Sequence, residues 1–165
     1  FCAKVPPGSA RVIRCLTRKR GALSPVCRAT LFDEEVRFSE NIDFQAPMKA
    51  ACTGEIEQFC KDVPHGDGRV IRCLQDAKDE KDFGKACKDE IAAYEEEISK
   101  DYRLNYRLRT ACENDVASLC PMSCGDADGL DVCGGKVLRC LTDKLDSIKD
   151  EACQKEVTYF EKMEV

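Results

Sequence analysis

Thirteen cysteines stand among 165 residues, and His65 is the only histidine. Thiols at about 8 % of a chain do one of two things: they close disulfides in an oxidising compartment, or they hold metal. Structural zinc sites favour Cys-x-x-Cys pairs, and none occurs here. Disulfides are therefore expected, placing the chain in the secretory pathway or outside the cell. A catalytic serine or cysteine needs a base within reach. His65 sits in Val63-Pro64-His65-Gly66-Asp67-Gly68 with no catalytic signature around it, and reads as an exposed turn residue. No enzymatic activity and no cofactor are expected.

Two further groups carry charge chemistry. Gly125-Asp126-Ala127-Asp128-Gly129-Leu130-Asp131 resembles part of a calcium loop. Positions five and twelve counted from Asp126 hold Leu130 and Val137, where an EF-hand requires acids. The plainer reading is a hydrophilic turn. Arg11 and Arg14, Arg69 and Arg72, and Lys136 and Arg139 lie three apart in three copies of one segment. Stacked, they would form a basic stripe suited to a sulfated glycan, with Arg18-Lys19-Arg20 making the first copy its strongest part. The plainer reading is an ion pair repeated with acidic helices.

Those arginines belong to a tandem repeat. Arg11-Val12-Ile13-Arg14-Cys15-Leu16 recurs as Arg69-Val70-Ile71-Arg72-Cys73-Leu74 and, varied, as Lys136-Val137-Leu138-Arg139-Cys140-Leu141. A fixed period implies one structural unit used repeatedly. Residues 42–101 hold a full set, Cys52, Cys60, Cys73 and Cys87; residues 102–165 repeat it as Cys112, Cys120, Cys140 and Cys153, with Cys124 and Cys133 in an inserted loop. Residues 1–41 hold Cys2, Cys15 and Cys27 without an opening cysteine. The chain reads as a piece of a longer array. Cys27 to Cys52 spans the same distance as Cys87 to Cys112, which favours rigid stacking over flexible linkers.

The elements that position the cysteines read as helices, since nothing alternates with period two for long. The expected fold is all-α, with three short helices per unit of about 60 residues. In unit one, a helix from Ala10 to Arg20 ending at Gly21 precedes one capped by Ser24-Pro25. In unit two, one helix starting near Pro47 carries Met48, Cys52, Ile56, Phe59 and Cys60. A second buries Val70, Cys73, Leu74 and Ala77, and a third turns Phe83, Cys87, Ile91, Tyr94 and Ile98 inward, leaving Glu95, Glu96 and Glu97 outside.

Four cysteines allow three pairings. Cys52 and Cys60 on one helix would be about 12 Å apart, beyond the roughly 7 Å a bridge tolerates. Two schemes remain: Cys60–Cys73 nested inside Cys52–Cys87, or Cys52–Cys73 crossed with Cys60–Cys87. The nested scheme is preferred because Cys60 and Cys73 flank one tight turn. Applied throughout, it pairs Cys120 with Cys140, Cys112 with Cys153 and Cys2 with Cys15, leaves Cys27 unpaired, and lets Cys124 and Cys133 close their own loop.

Formal charge is −5, unevenly spread. Residues 1–41 carry 8 Lys/Arg against 4 Asp/Glu, residues 42–101 carry 9 against 15, and residues 102–165 carry 9 against 12. Nucleic acid is disfavoured by this balance and by the compartment. No Asn-x-Ser/Thr sequon and no apolar run of transmembrane length occurs.

The pattern Cys52, Cys60, Val63-Pro64-His65-Gly66-Asp67-Gly68-Arg69-Val70-Ile71-Arg72-Cys73-Leu74, Cys87 resembles the repeats of the cysteine-rich fibroblast growth factor receptor family. The resemblance covers nearly the whole chain; Cys124 and Cys133 depart from it. It implies a Golgi glycoprotein, anchored in the membrane outside this segment, with many such repeats in its lumenal part and some presence at the cell surface. It further implies binding of fibroblast growth factors, E-selectin and latent transforming growth factor β, and an influence on their trafficking. It carries no residue-level binding motif to these positions.

Overall fold

A computed structural model describes residues 1–121 and 135–163. Among them are ten α-helices and no strand: α1 (Arg11–Arg18), α2 (Pro25–Phe38), α3 (Ala46–Ala51), α4 (Thr53–Phe59), α5 (Arg69–Ala77), α6 (Lys85–Lys100), α7 (Tyr106–Ala111), α8 (Glu113–Leu119), α9 (Lys136–Asp143) and α10 (Glu151–Met163). The chain is all-α, as expected from its periodicity. No helix among the described residues is long and apolar enough to cross a membrane.

The opening segment of a full unit is two helices, not one. α3 stops at Ala51 and α4 starts at Thr53, with Cys52 between them at φ −103° and ψ 11°. Cys112 breaks α7 from α8 in the same way, at φ −99° and ψ 6°. Each break turns a wholly buried cysteine toward the long third helix, α6 or α10.

Unit one departs from expectation at Gly21. α1 ends at Arg18, and Gly21 lies in a 3₁₀ turn (Arg20–Ala22) without a left-handed φ. Ser24 does cap α2, its Oγ accepting from the Cys27 N–H at 3.3 Å, with Pro25 in the first turn.

Two buried clusters form the core. One gathers Ile42, Met48, Val70, Ile71, Leu74 and Ile91 around Cys52, Cys60 and Cys87; the other gathers Leu108, Val137, Leu138, Leu141, Val157 and Phe160 around Cys112, Cys120 and Cys153. Within each unit α3 packs on α6 and α4 on α5, then α7 on α10 and α8 on α9. Unit one has only α1 against α2, and α1 buries no residue. A carboxylate ties each full unit together. Glu55 accepts from the Gly84 N–H at 3.0 Å, and the buried Asp115 accepts from the N–H groups of Lys149 and Asp150 at 3.0 and 3.2 Å. Both acids satisfy donors at the start of a third helix, where the macrodipole favours negative charge.

Candidate functional site

The cysteines pair in two alternating kinds. Cys2–Cys15, Cys60–Cys73 and Cys120–Cys140 close turns with Cα separations of 6.2, 6.0 and 6.0 Å. Cys52–Cys87 and Cys112–Cys153 draw helices to 4.6 and 4.7 Å. This is the nested arrangement. Cys27 is a free thiol, partly exposed, where its counterparts Cys87 and Cys153 are wholly buried. Cys124, Cys133 and the acidic loop 125–131 lie outside the described residues. Among the described residues no group of three or more His, Cys, Asp or Glu side chains could hold a metal.

The paired arginines do two separate jobs. The first of each pair braces its own turn: Arg11 donates to the Pro7 carbonyl at 2.7 Å, and Arg69 to the carbonyls of Pro64 and His65 at 3.1 and 2.8 Å. The second reaches into the next unit. Arg14 pairs with Glu90 of α6 at 2.8 Å, and Arg72 pairs with Glu156 of α10. Arg72 also lies over the Tyr159 ring, 3.5 Å from its centroid, and is only 16 % exposed, which leaves it no free face for a ligand. Arg139, the third member, is exposed. The stripe is thus broken up, its members turned into turns and junctions, with Arg18 and Arg139 facing solvent.

Other contacts lock the units together. The Gly68 N–H donates to the Glu40 carbonyl at 2.8 Å, and the Gly135 N–H to the Lys100 carbonyl at 3.0 Å. Arg109 pairs with Glu40 at 3.1 Å, and the Tyr106 hydroxyl donates to Asp67 at 3.0 Å. His65 is half-exposed in its turn, its Nδ1 2.8 Å from Asp43.

Glu95 is not part of a solvated face. It accepts from Lys78 at 2.8 Å and from Gln75 at 3.2 Å, while Glu35 in unit one takes the same place with Arg20 and Thr17. The signal was available: both glutamates follow their cysteine, Cys27 or Cys87, by eight residues. A helical wheel for one unit alone cannot show it.

A groove of about 330 Å³ opens between α1 and α6, at the junction of units one and two. Ile13, Phe38, Met48 and Tyr94 make it apolar, while Arg14 and Arg18 stand on its α1 side. Burial, reinforced by the nearby Glu35 charge, pushes the Glu97 carboxyl above its usual range at its edge. Sequence reading missed this groove because no single unit contains it.

Nested bridges, short helices and unit-to-unit clasps define a disulfide-stapled α-helical repeat protein. The chain belongs to the cysteine rich repeat family, whose model matches residues 25–82 and 85–149. In that register each repeat opens on α2 or α6, so the Cys52–Cys87 bridge joins one matched repeat to the next. Units 1–41, 42–101 and 102–165 cut the same period at a different point.

Golgi apparatus protein 1 of mouse is 26 % identical over 166 residues, covering 95 % of this chain and 14 % of the relative. The human protein is 28 % identical over 142 residues, covering 86 % and 12 %. The Golgi apparatus protein 1 homolog of Caenorhabditis elegans is 30 % identical over 78 residues, covering 47 % and 7 %. The chain thus spans about one seventh of the mouse relative's length. No solved structure matches it. These relatives support a Golgi localisation, and the segment is a Golgi-type cysteine-rich repeat module.

Proposed function

We propose that this segment is a non-enzymatic lumenal binding module for secreted proteins, and that basic growth factors of the fibroblast type are its best-suited partners. One observation carries the reading: residues 42–165 hold 18 Lys/Arg against 27 Asp/Glu, on units held in fixed register by Arg72–Glu156 and the Gly68 and Gly135 clasps. A rigid surface with that surplus attracts a cationic protein over several ångströms and speeds its encounter. Capture in the Golgi lumen would then influence trafficking and secretion of the partner. E-selectin and latent transforming growth factor β are further partners by family resemblance, and the parent chain is anchored in the membrane outside this segment.

The test is the affinity of this segment for a fibroblast growth factor at about 20 and about 150 mM salt, where screening lengths differ more than twofold. Weakening with salt is expected; salt-independent binding, or none, overturns the reading. A second reading, a spacer that binds nothing, is favoured by the same clasps and predicts no retention of any secreted ligand. An anionic-glycan site would rest on Arg18 and Arg139, and charge reversal at these two would remove heparin retention.

A further inference from the structure

Successive units can be superposed through their cysteines. Counting from Cys15 and Cys73, Arg14 corresponds to Arg72 and Arg18 to Asp76; counting from Cys87 and Cys153, Glu90 corresponds to Glu156 and Ala93 to Tyr159. The junctions of units one and two and of units two and three are therefore two versions of one contact.

At the second junction the contact is filled. Tyr159 lies under the Arg72 guanidinium, 3.5 Å from centroid to carbon, and its hydroxyl donates to Asp76 at 2.8 Å. Glu156 pairs with the same arginine. At the first junction the clasp survives, since Arg14 meets Glu90 at 2.8 Å, but the aromatic ring is missing. Ala93 stands in its place, and the groove of about 330 Å³ lies there. That volume falls within the roughly 300–1,000 Å³ of ligand sites. Arg14 is 53 % exposed where Arg72 is 16 % exposed, so its guanidinium face is available. The acceptor is also inverted: Arg18, whose exposed side chain makes no hydrogen bond or ion pair among the described residues, replaces Asp76.

We propose that this groove receives a tyrosine side chain from a bound polypeptide. Its ring packs against Ile13 and Met48 and meets the Arg14 guanidinium by a cation–π contact. Its phenol oxygen accepts from Arg18, whereas Tyr159 donates to Asp76. An acceptor made anionic, as in O-sulfated tyrosine, strengthens that last contact. The proposal rests on the reading of the segment as a binder of secreted polypeptides, and names the side chain such a partner presents.

The test titrates the isotopically labelled segment with short glycine-flanked peptides bearing Tyr, O-sulfated Tyr or Phe, following backbone amide shifts. The expected result is saturable shifts at Arg14, Ala93 and Tyr94, with Phe bound about tenfold more weakly than Tyr for want of the charge-assisted hydrogen bond. Ala93→Tyr fills the groove from within and abolishes these shifts; Ala93→Leu, a smaller change, weakens them if the first variant misfolds. Arg18→Asp restores the acceptor of the other junction and reverses the preference between sulfated and plain tyrosine. Equal binding of Phe and Tyr, an unchanged order in Arg18→Asp, or shifts elsewhere overturn the proposal. Growth-factor binding that survives Ala93→Tyr would sink the groove while leaving the wider reading intact.

Discussion

Arg72 of α5 and Glu156 of α10 are joined as an ion pair across 84 residues of chain, and the pair sits between two units instead of within one. Both side chains are mostly buried, at 16 % and 10 % exposure, and Arg107 adds a second bond to Glu156 at 3.1 Å. Sulfur thus staples each unit internally, and charge fastens one unit to the next.

Removing Arg72 leaves the buried Glu156 held by Arg107 alone. Arg72→Ala should destabilise the protein by about 2–3 kcal/mol, below the roughly 3–5 kcal/mol of a wholly unpaired buried charge. The corresponding Arg14→Ala, at the open junction, should cost less than about 1 kcal/mol because Arg14 is half in solvent. Urea unfolding of the two variants side by side checks the difference, and equal losses would refute it.

The two kinds of bridge differ in the loop they close. Cys52–Cys87 spans 35 residues and Cys60–Cys73 spans 13. Paired serine replacement of either should cost about 2–5 kcal/mol, with the longer bridge about 1 kcal/mol the greater if unfolded-chain entropy dominates. Thermal melts of both double variants measure this.

Unit one carries a residue unsuited to its backbone. Ala10 precedes α1 at φ 56°, where Gly68 and Gly135 precede α5 and α9 at φ 64° and 72°. Ala10→Gly should stabilise by about 1 kcal/mol, while Gly68→Ala should destabilise by about the same amount, since its φ of 64° lies in the left-handed region that disfavours a Cβ. Denaturation midpoints of opposite sign are the expected outcome.

The nested bridges leave Cys27 reactive and Cys15 protected. Alkylation of the native protein followed by peptide mapping should label Cys27. Label on Cys15 would indicate the crossed scheme.

Asp43 is held below the ordinary carboxylate range chiefly by its hydrogen bond to Lys49 at 2.5 Å and then by its bond to His65. Its lowered folded-state value means that the charged form stabilises the fold at pH above about 4, the unfolded value, and that this contribution is lost as pH falls through the folded value. Asp43→Asn should therefore be less stable than the parent at pH 7 and equal to it in strong acid. A constant gap at all pH values would exclude the assignment.

Much of the architecture follows from local chemistry alone. A period of cysteines and Arg-Val-Ile-Arg-Cys-Leu segments announces a repeat, and spacings of three and four announce helices. Ser24-Pro25 marks a helix start because its cap bond closes within four residues. Such features need only neighbours along the chain, so the order of letters suffices to show them.

Contacts between elements distant along the chain are another matter. Whether Cys52 meets Cys73 or Cys87 depends on the small bend at Cys52 that points its sulfur at α6. Whether Arg72 serves a ligand or Glu156 depends on how two helices 84 residues apart lie against each other. Ala93 is unremarkable as a letter, and lines a groove only where α1 lies opposite α6 without a Tyr159 to fill the space. The helical class and the repeated cysteine pattern were settled by the sequence itself, since their causes are local; the break at Cys52 that splits one expected helix into α3 and α4 was not. Bridge partners, clasp arginines and the open junction were decided by the tertiary structure, because burial and charge pairing depend on distances through space that no spacing along the chain encodes.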